Sequence, residues 1–231
     1  MSNPPIIVFD LDGTLVDTAP DLINALNYVL DREGLPPVPL HLARSMIGAG
    51  ARKLIERGLE LEGRSATVDG ITRLTNDFIE HYAAHIADHS RPFEGLHEAL
   101  NELSAQGYRF AVCTNKLEWL SRLLLDRLEL TARFAAICGA DTFGVSKPDP
   151  VILQQTVARA GATMSSAIMV GDAGPDIGVA RRAGVPVIGV EFGYTDIPIA
   201  ELKPDLLIGH MRELPGAVTN LASSRKTKPV Q

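Results

Sequence analysis

The sequence predicts an α/β protein: a Rossmann-like parallel sheet with helices on both faces, and an all-helical cap subdomain inserted into it. Three observations predict it. Six short apolar runs are spaced along the chain, helical patterns alternate with most of them, and one long stretch holds helical patterns only. Strands that are apolar throughout belong to a parallel sheet covered on both faces. Their alternation with helices implies βαβ units with right-handed crossovers. The 231 residues, 45% of them apolar, suffice for one large domain carrying a smaller inserted one, with a core that needs no staples.

Taken in order, Ile6-Ile7-Val8-Phe9 is the first run and ends on Asp10. Residues 17–91 then show amphipathic helical segments and no strand pattern. Pro36, Pro37 and Pro39 punctuate one junction, Gly48 and Gly50 a second, and Gly63 a third. This block is the expected cap, which leaves 1–16 and 92–222 as a discontinuous α/β core. Pro92-Phe93-Glu94-Gly95 opens a helical run that stops at Gly107. Phe110-Ala111-Val112-Cys113 ends on Thr114, and Ala135-Ala136-Ile137-Cys138 ends on Gly139. Asp149-Pro150 supplies a helix N-cap and a first-turn proline. Ala167-Ile168-Met169-Val170 ends on Gly171-Asp172, and Pro175 opens a run that stops at Gly184. Val187-Ile188-Gly189-Val190 and Leu206-Leu207-Ile208 complete the set. Residues 223–231, with Arg225, Lys226 and Lys228, read as a solvated, disordered tail.

Charge narrows the function. With 22 basic and 28 acidic residues the net charge is -6, which argues against nucleic acid or an anionic membrane as partner. No apolar run is long enough to span a bilayer, and the N-terminus has no basic segment followed by an apolar one. Cys113 and Cys138 fall inside apolar runs and read as core residues. A reducing, cytoplasmic setting is expected.

The chemistry-bearing residues gather at strand ends. Asp10-Leu11-Asp12-Gly13-Thr14 begins where the first strand stops. In open α/β sheets that is where ligands bind. Two carboxylates two residues apart suit phosphoryl transfer, one attacking phosphorus and the other handling the proton. Thr114 and Asn115 put a hydroxyl and an amide at another strand end, where they can donate hydrogen bonds to phosphate oxygens. Lys147, between Ser146 and Pro148, offers an ammonium beside a helix start. Asp172 and Asp176 offer oxygen ligands for a hard cation. Each signal alone is also an ordinary turn or cap. Their recurrence at the ends of separate strands carries the reading.

These motifs resemble those of the haloacid dehalogenase superfamily, in particular its phosphatases with a helical cap after the first motif. The resemblance runs from Ile6 to about Ile208 and rests most on Asp10-Leu11-Asp12-Gly13-Thr14. It implies Asp10 as nucleophile and Asp12 as general acid and base. It implies Thr114 and Lys147 as phosphate contacts. Magnesium would be held by Asp10, the Asp12 backbone carbonyl and Asp172, with Asp176 in support. One departure is Pro175, where a polar residue usually precedes the second acid; proline has no N–H to donate.

The cap would close over the site and read the leaving group. Ile47-Gly48-Ala49-Gly50-Ala51-Arg52 resembles the cap loop of phosphoglycolate phosphatases, and Arg52 could meet a substrate carboxylate. The expected function is therefore magnesium-dependent hydrolysis of a small phosphorylated metabolite, with 2-phosphoglycolate the leading candidate. A pyrophosphatase, a sugar-phosphate phosphatase or a phosphomutase on the same framework stand as alternatives, as does a non-catalytic binding protein. Gly48-Ala49-Gly50 is not a dinucleotide fingerprint, because no strand precedes it and position 53 is Lys53. His81, His85 and His89 share a helical face and read as solvated rather than as a zinc site. Trp119 reads as packing.

Overall fold

A computed structural model describes residues 5–226, with side chains described through Ser223. The first strand, β1, is Ile6–Phe9, and all four of its residues are fully buried. Val16–Asp17 (β2) pairs antiparallel with Arg91–Pro92 (β3). Between them lie the helices Ala19–Arg32 (α1), Leu40–Ala43 (α2), Ala51–Leu61 (α3) and Val68–Ala84 (α4). Strand and helix then alternate: Leu96–Ala105 (α5), Arg109–Cys113 (β4), Glu118–Arg127 (α6), Ala136–Cys138 (β5), Pro150–Arg159 (α7), Ala167–Gly171 (β6) and Gly174–Ala183 (α8). Val187–Val190 (β7), Leu206–Ile208 (β8) and Leu214–Lys226 (α9) follow.

The six strands β5-β4-β1-β6-β7-β8 form one sheet in that order, parallel throughout. The chain builds outward from β1 through β4 and β5, then restarts on the other side of β1 with β6, β7 and β8. The order therefore reverses between β1 and β6, and such a reversal opens a crevice at the carboxyl ends of the strands.

Alternate residues of the strands feed opposite faces. Ile7, Phe9, Phe110, Val112, Ile168 and Val170 join the core that runs into the helices between β2 and β3. Ile6, Val8, Ala111, Cys113 and Met169 pack with α7 and α8 on the other face. Burial on both faces is what the uninterrupted apolar runs predict. The exception is β8, at the sheet edge, where Leu207 is exposed.

In α1 the apolar residues Leu22, Ile23, Leu26, Val29 and Leu30 recur at helical spacing and are buried, and α4 packs on both α1 and α3. Proline in the first turn of α1 costs no helical hydrogen bond. Asp21, also in that turn, is buried and accepts hydrogen bonds from the backbone N–H groups of His89 and Ser90 and from the Ser90 hydroxyl. The start of the helical segment is thus tied to its end.

Several expectations change. The β2–β3 ribbon at the two ends of segment 17–91 was not legible as strand. Helix α9 takes in residues 223–226 of the expected disordered tail; the rest of that tail, with Lys228, lies outside the described residues. Trp119 is 47% exposed, so it is not a core residue. Among the described residues no helix is long and apolar enough to cross a membrane.

Candidate active site

Asp10 follows directly on β1. Its N–H donates to the Val170 carbonyl of β6, so the sheet ladder runs up to the residue itself. Its Oδ1 accepts from the Leu11 N–H at 2.7 Å and pairs with Lys147 Nζ at 2.8 Å. The group is almost fully buried, and burial pushes its pKa up to about 6. The Lys147 ammonium opposes that shift, while the Asp176 carboxylate adds to it.

Gly13 makes the sharp turn after Asp12. Its φ is +83°, and a Cβ there would stand 2.4 Å from Asp172 Oδ2. The turn lets Thr14 point back to the next strand, where its hydroxyl donates to Asp172 Oδ1 at 2.9 Å. Asp172 Oδ2 accepts from the Tyr194 N–H at 2.6 Å. Burial raises the Asp172 pKa well above the ordinary carboxylate range, and the Asp176 and Asp10 carboxylates raise it further.

Lys147 lies in the loop before α7, whose N-cap Asp149 accepts from the Val151 N–H. Its side chain is 1% exposed, with Nζ 2.8 Å from Asp10 and 2.7 Å from Asp176. Burial alone would lower its pKa, but the two carboxylates outweigh that and hold it charged. Asp176 turns its other oxygen to the N–H groups of Asp172 and Ala173. Pro175 does not disturb this, because it sits in the first turn of α8, where backbone N–H groups have no helical partner.

Asp10, Asp172 and Asp176 bring carboxylate oxygens within 4.8 Å of one another. One ammonium, Lys147, serves Asp10 and Asp176, while Asp172 has none; burial first and the neighbouring carboxylates second raise the pKa values of Asp10 and Asp172. An all-oxygen donor set of this kind fits a hard divalent cation. Among the described residues this is the only such group, so the histidines form none; His85 pairs with Asp88, and His81 stacks on Tyr28.

Asp12 faces elsewhere. Its Oδ1 accepts from the Thr18 hydroxyl at 2.7 Å and from Lys116 Nζ at 2.9 Å. Thr114, at the end of β4, is buried, and its oxygen accepts from the Lys116 N–H, which leaves the hydroxyl proton free to donate. Asn115 does not present its amide to an anion site. Its Oδ1 accepts from the Lys147 N–H, and its Nδ2 donates to the Lys147 and Gly48 carbonyls. A cavity of about 260 Å³ opens between these strand ends and the helical segment, lined by Asp10, Asp12, Thr114, Lys116 and Arg52 among others. Arg52 is at its exposed side and pairs with Glu56 one turn on.

Four contributors escaped the sequence reading: Thr14, Thr18, Lys116 and Tyr194. Lys116 directly follows Thr114 and Asn115, with nothing in the sequence to mark it. Tyr194 had no signal, since it meets Asp172 across 22 positions.

Carboxylates and a buried lysine thus meet at the reversal of the strand order, where an α/β sheet binds its ligand. The family of haloacid dehalogenase-like hydrolases matches residues 7–190, and the chain belongs to that family. Phosphatases are among its relatives. The phosphoglycolate phosphatase of Caulobacter vibrioides is 46% identical over 222 residues, which cover 96% of this chain and 94% of that protein. The phosphoglycolate phosphatase of Mesorhizobium japonicum is 46% identical over 210 residues, covering 91% of this chain and 92% of that one. A crystal structure of a predicted phosphoglycolate phosphatase from Haemophilus somnus matches with TM-score 0.86 at 31% identity, over 94% of this chain and 99% of the other.

Proposed function

We propose that the chain hydrolyses 2-phosphoglycolate with magnesium, through a phosphoryl group carried on Asp10. One observation carries the reading: Asp10 and Asp172 meet at the reversal between β1 and β6, with Lys147 buried against Asp10 and Asp176. Asp10 attacks phosphorus. Lys147 and the Thr114 hydroxyl hold the phosphoryl oxygens, and Asn115 positions Lys147 through its backbone. Asp12 gives its proton to the departing alkoxide, then takes one from the water that opens the aspartyl-phosphate. Asp10, the Asp12 carbonyl and Asp172 would hold magnesium, with Asp176 in support. Bound there, the ion supplies positive charge that screens carboxylate from phosphate. Segment 17–91 serves as the cap that shields the site from water, and Arg52 lines the cavity with a half-exposed side chain. The names of the curated relatives support the substrate, and two free cysteines accord with a cytoplasmic setting.

A hydrolysis screen with and without magnesium tests this, using 2-phosphoglycolate, pyrophosphate and sugar phosphates. The expected preference in kcat/KM for 2-phosphoglycolate is at least about 100-fold, since a site built to pair a polar group rejects analogues lacking it by up to about 10⁴–10⁵. Preference for another class would overturn the substrate, and no hydrolysis of any ester would favour a binding protein. Asp12→Asn is expected to slow an alkyl ester by about 10²–10⁴-fold and an ester with a good leaving group far less. Equal slowing of both would remove Asp12 from the acid role.

A further inference from the structure

Two groups in the cavity wall stand outside the cluster of Asp10, Lys147, Asp172 and Asp176. The first is Lys116, whose side chain is 5% exposed. A lysine this buried needs a partner, and it has Asp12, with Nζ 2.9 Å from Oδ1 and 3.2 Å from Oδ2. The second is Tyr82, 1% exposed, whose hydroxyl has no partner in good hydrogen-bond geometry, its polar neighbour being the Lys116 ammonium. A buried hydroxyl left unpaired at a cavity wall calls for a ligand or a water. The two are neighbours, since Lys116 Nζ stands 4.5 Å from the centre of the Tyr82 ring.

We propose that Lys116 and Tyr82 form a carboxylate-binding subsite, which selects phosphate esters bearing a carboxylate one carbon from the ester oxygen. The proposal rests on Asp12 meeting the leaving oxygen, as in the function above. In such an ester the carboxylate carbon lies two covalent bonds from that oxygen, about 2.4 Å away. An ammonium 2.9 Å from the Asp12 carboxylate is therefore within reach of the substrate carboxylate. Lys147 is committed to the phosphoryl end of the site, where it stands between Asp10 and Asp176. The other cation on the cavity, Arg52, has a side chain 54% exposed and paired with Glu56. Leu22, Phe78 and Leu120 line the cavity as well, and an apolar wall strengthens an ion pair formed beside it. The N-terminus of α3, with Gly50 and Ala51 on the same cavity, adds a partial positive charge.

The test compares 2-phosphoglycolate with ethyl phosphate, which has a methyl group in place of the carboxylate. The quantity read is the ratio of their kcat/KM values. Lys116→Met is expected to lower that ratio at least 30-fold, with Lys116→Arg recovering part of it. Tyr82→Phe is expected to lower it about fivefold, through KM. A residue that only steadies Asp12 would slow both esters alike, and an unchanged ratio in Lys116→Met and Tyr82→Phe overturns the proposal. Calorimetric binding of both esters to Asp10→Asn separates this subsite from the catalytic reading. If neither ester is turned over by the unaltered protein, yet Asp10→Asn binds 2-phosphoglycolate at least 30-fold tighter and Lys116→Met abolishes that gain, the subsite stands and the hydrolase reading falls. Turnover with a ratio indifferent to Lys116 means the reverse.

Discussion

Asp10→Asn is expected to lower kcat for every phosphate ester by about 10⁴-fold or more, while the melting temperature in chelator stays within a few degrees of the parent. The size of the loss follows from the role. A nucleophile that carries the phosphoryl group has no substitute in the site, and single removals of such groups cost rates of this order. Asp172 and Asp176 are held by Thr14, Tyr194 and Lys147 and have no freedom to replace it. The fold survives because asparagine keeps the shape and relieves a buried charge. Lys147 keeps Asp176 as its partner. Kinetics on freshly purified protein, with mass spectrometry to exclude deamidation to aspartate, decide the matter. Retention of more than about a tenth of the activity would remove Asp10 as nucleophile.

Magnesium is expected to raise the melting temperature by about 5–10 °C at pH 7.5, and by much less at pH 5. The sign comes from the carboxylates. Burial raises the Asp10 pKa from 3.8 to about 6, and Asp172 is raised as well. In a metal-free protein the folded state therefore holds protons that the unfolded state has released. The stability this contributes is complete below about pH 4 and is lost as pH climbs through 6, on the order of 3 kcal/mol from Asp10 alone. A cation competes with those protons, so its stabilisation grows over the same window. At 100 times its dissociation constant it contributes about 2.7 kcal/mol, which sets the scale of the shift for a chain of this size. Asp172→Asn is expected to abolish most of the difference between the two pH values. Equal shifts at pH 5 and 7.5 in the unaltered protein would show that the ion binds somewhere other than this carboxylate cluster.

The strands were legible because a parallel strand covered on both faces leaves an uninterrupted apolar run, and Ile6–Phe9 and Val187–Val190 are bounded where the runs are. The β2–β3 ribbon was not, because two residues on each side carry no periodicity and Pro92 is a poor strand signal. At the site, residues at strand ends announce themselves by breaking an apolar run, as Asp10, Thr114 and Asp172 do. Which polar groups pair with them depends on approaches across the fold. Lys116 finds Asp12 over 104 positions, and nothing in Cys113-Thr114-Asn115-Lys116 says that the amide turns to backbone while the ammonium turns to the carboxylate.

The hydrogen bond from the Asp10 N–H to Val170 ties Asp10 to the ladder between β1 and β6, the central one of the sheet. Helices α1 to α4 hang from a two-residue ribbon to one side of that framework. Tyr82 belongs to that segment and Lys116 to the sheet side, so the proposed subsite is shared between them. Exchanging the segment is expected to change which alcohols leave, while the residues at the strand ends stay as they are.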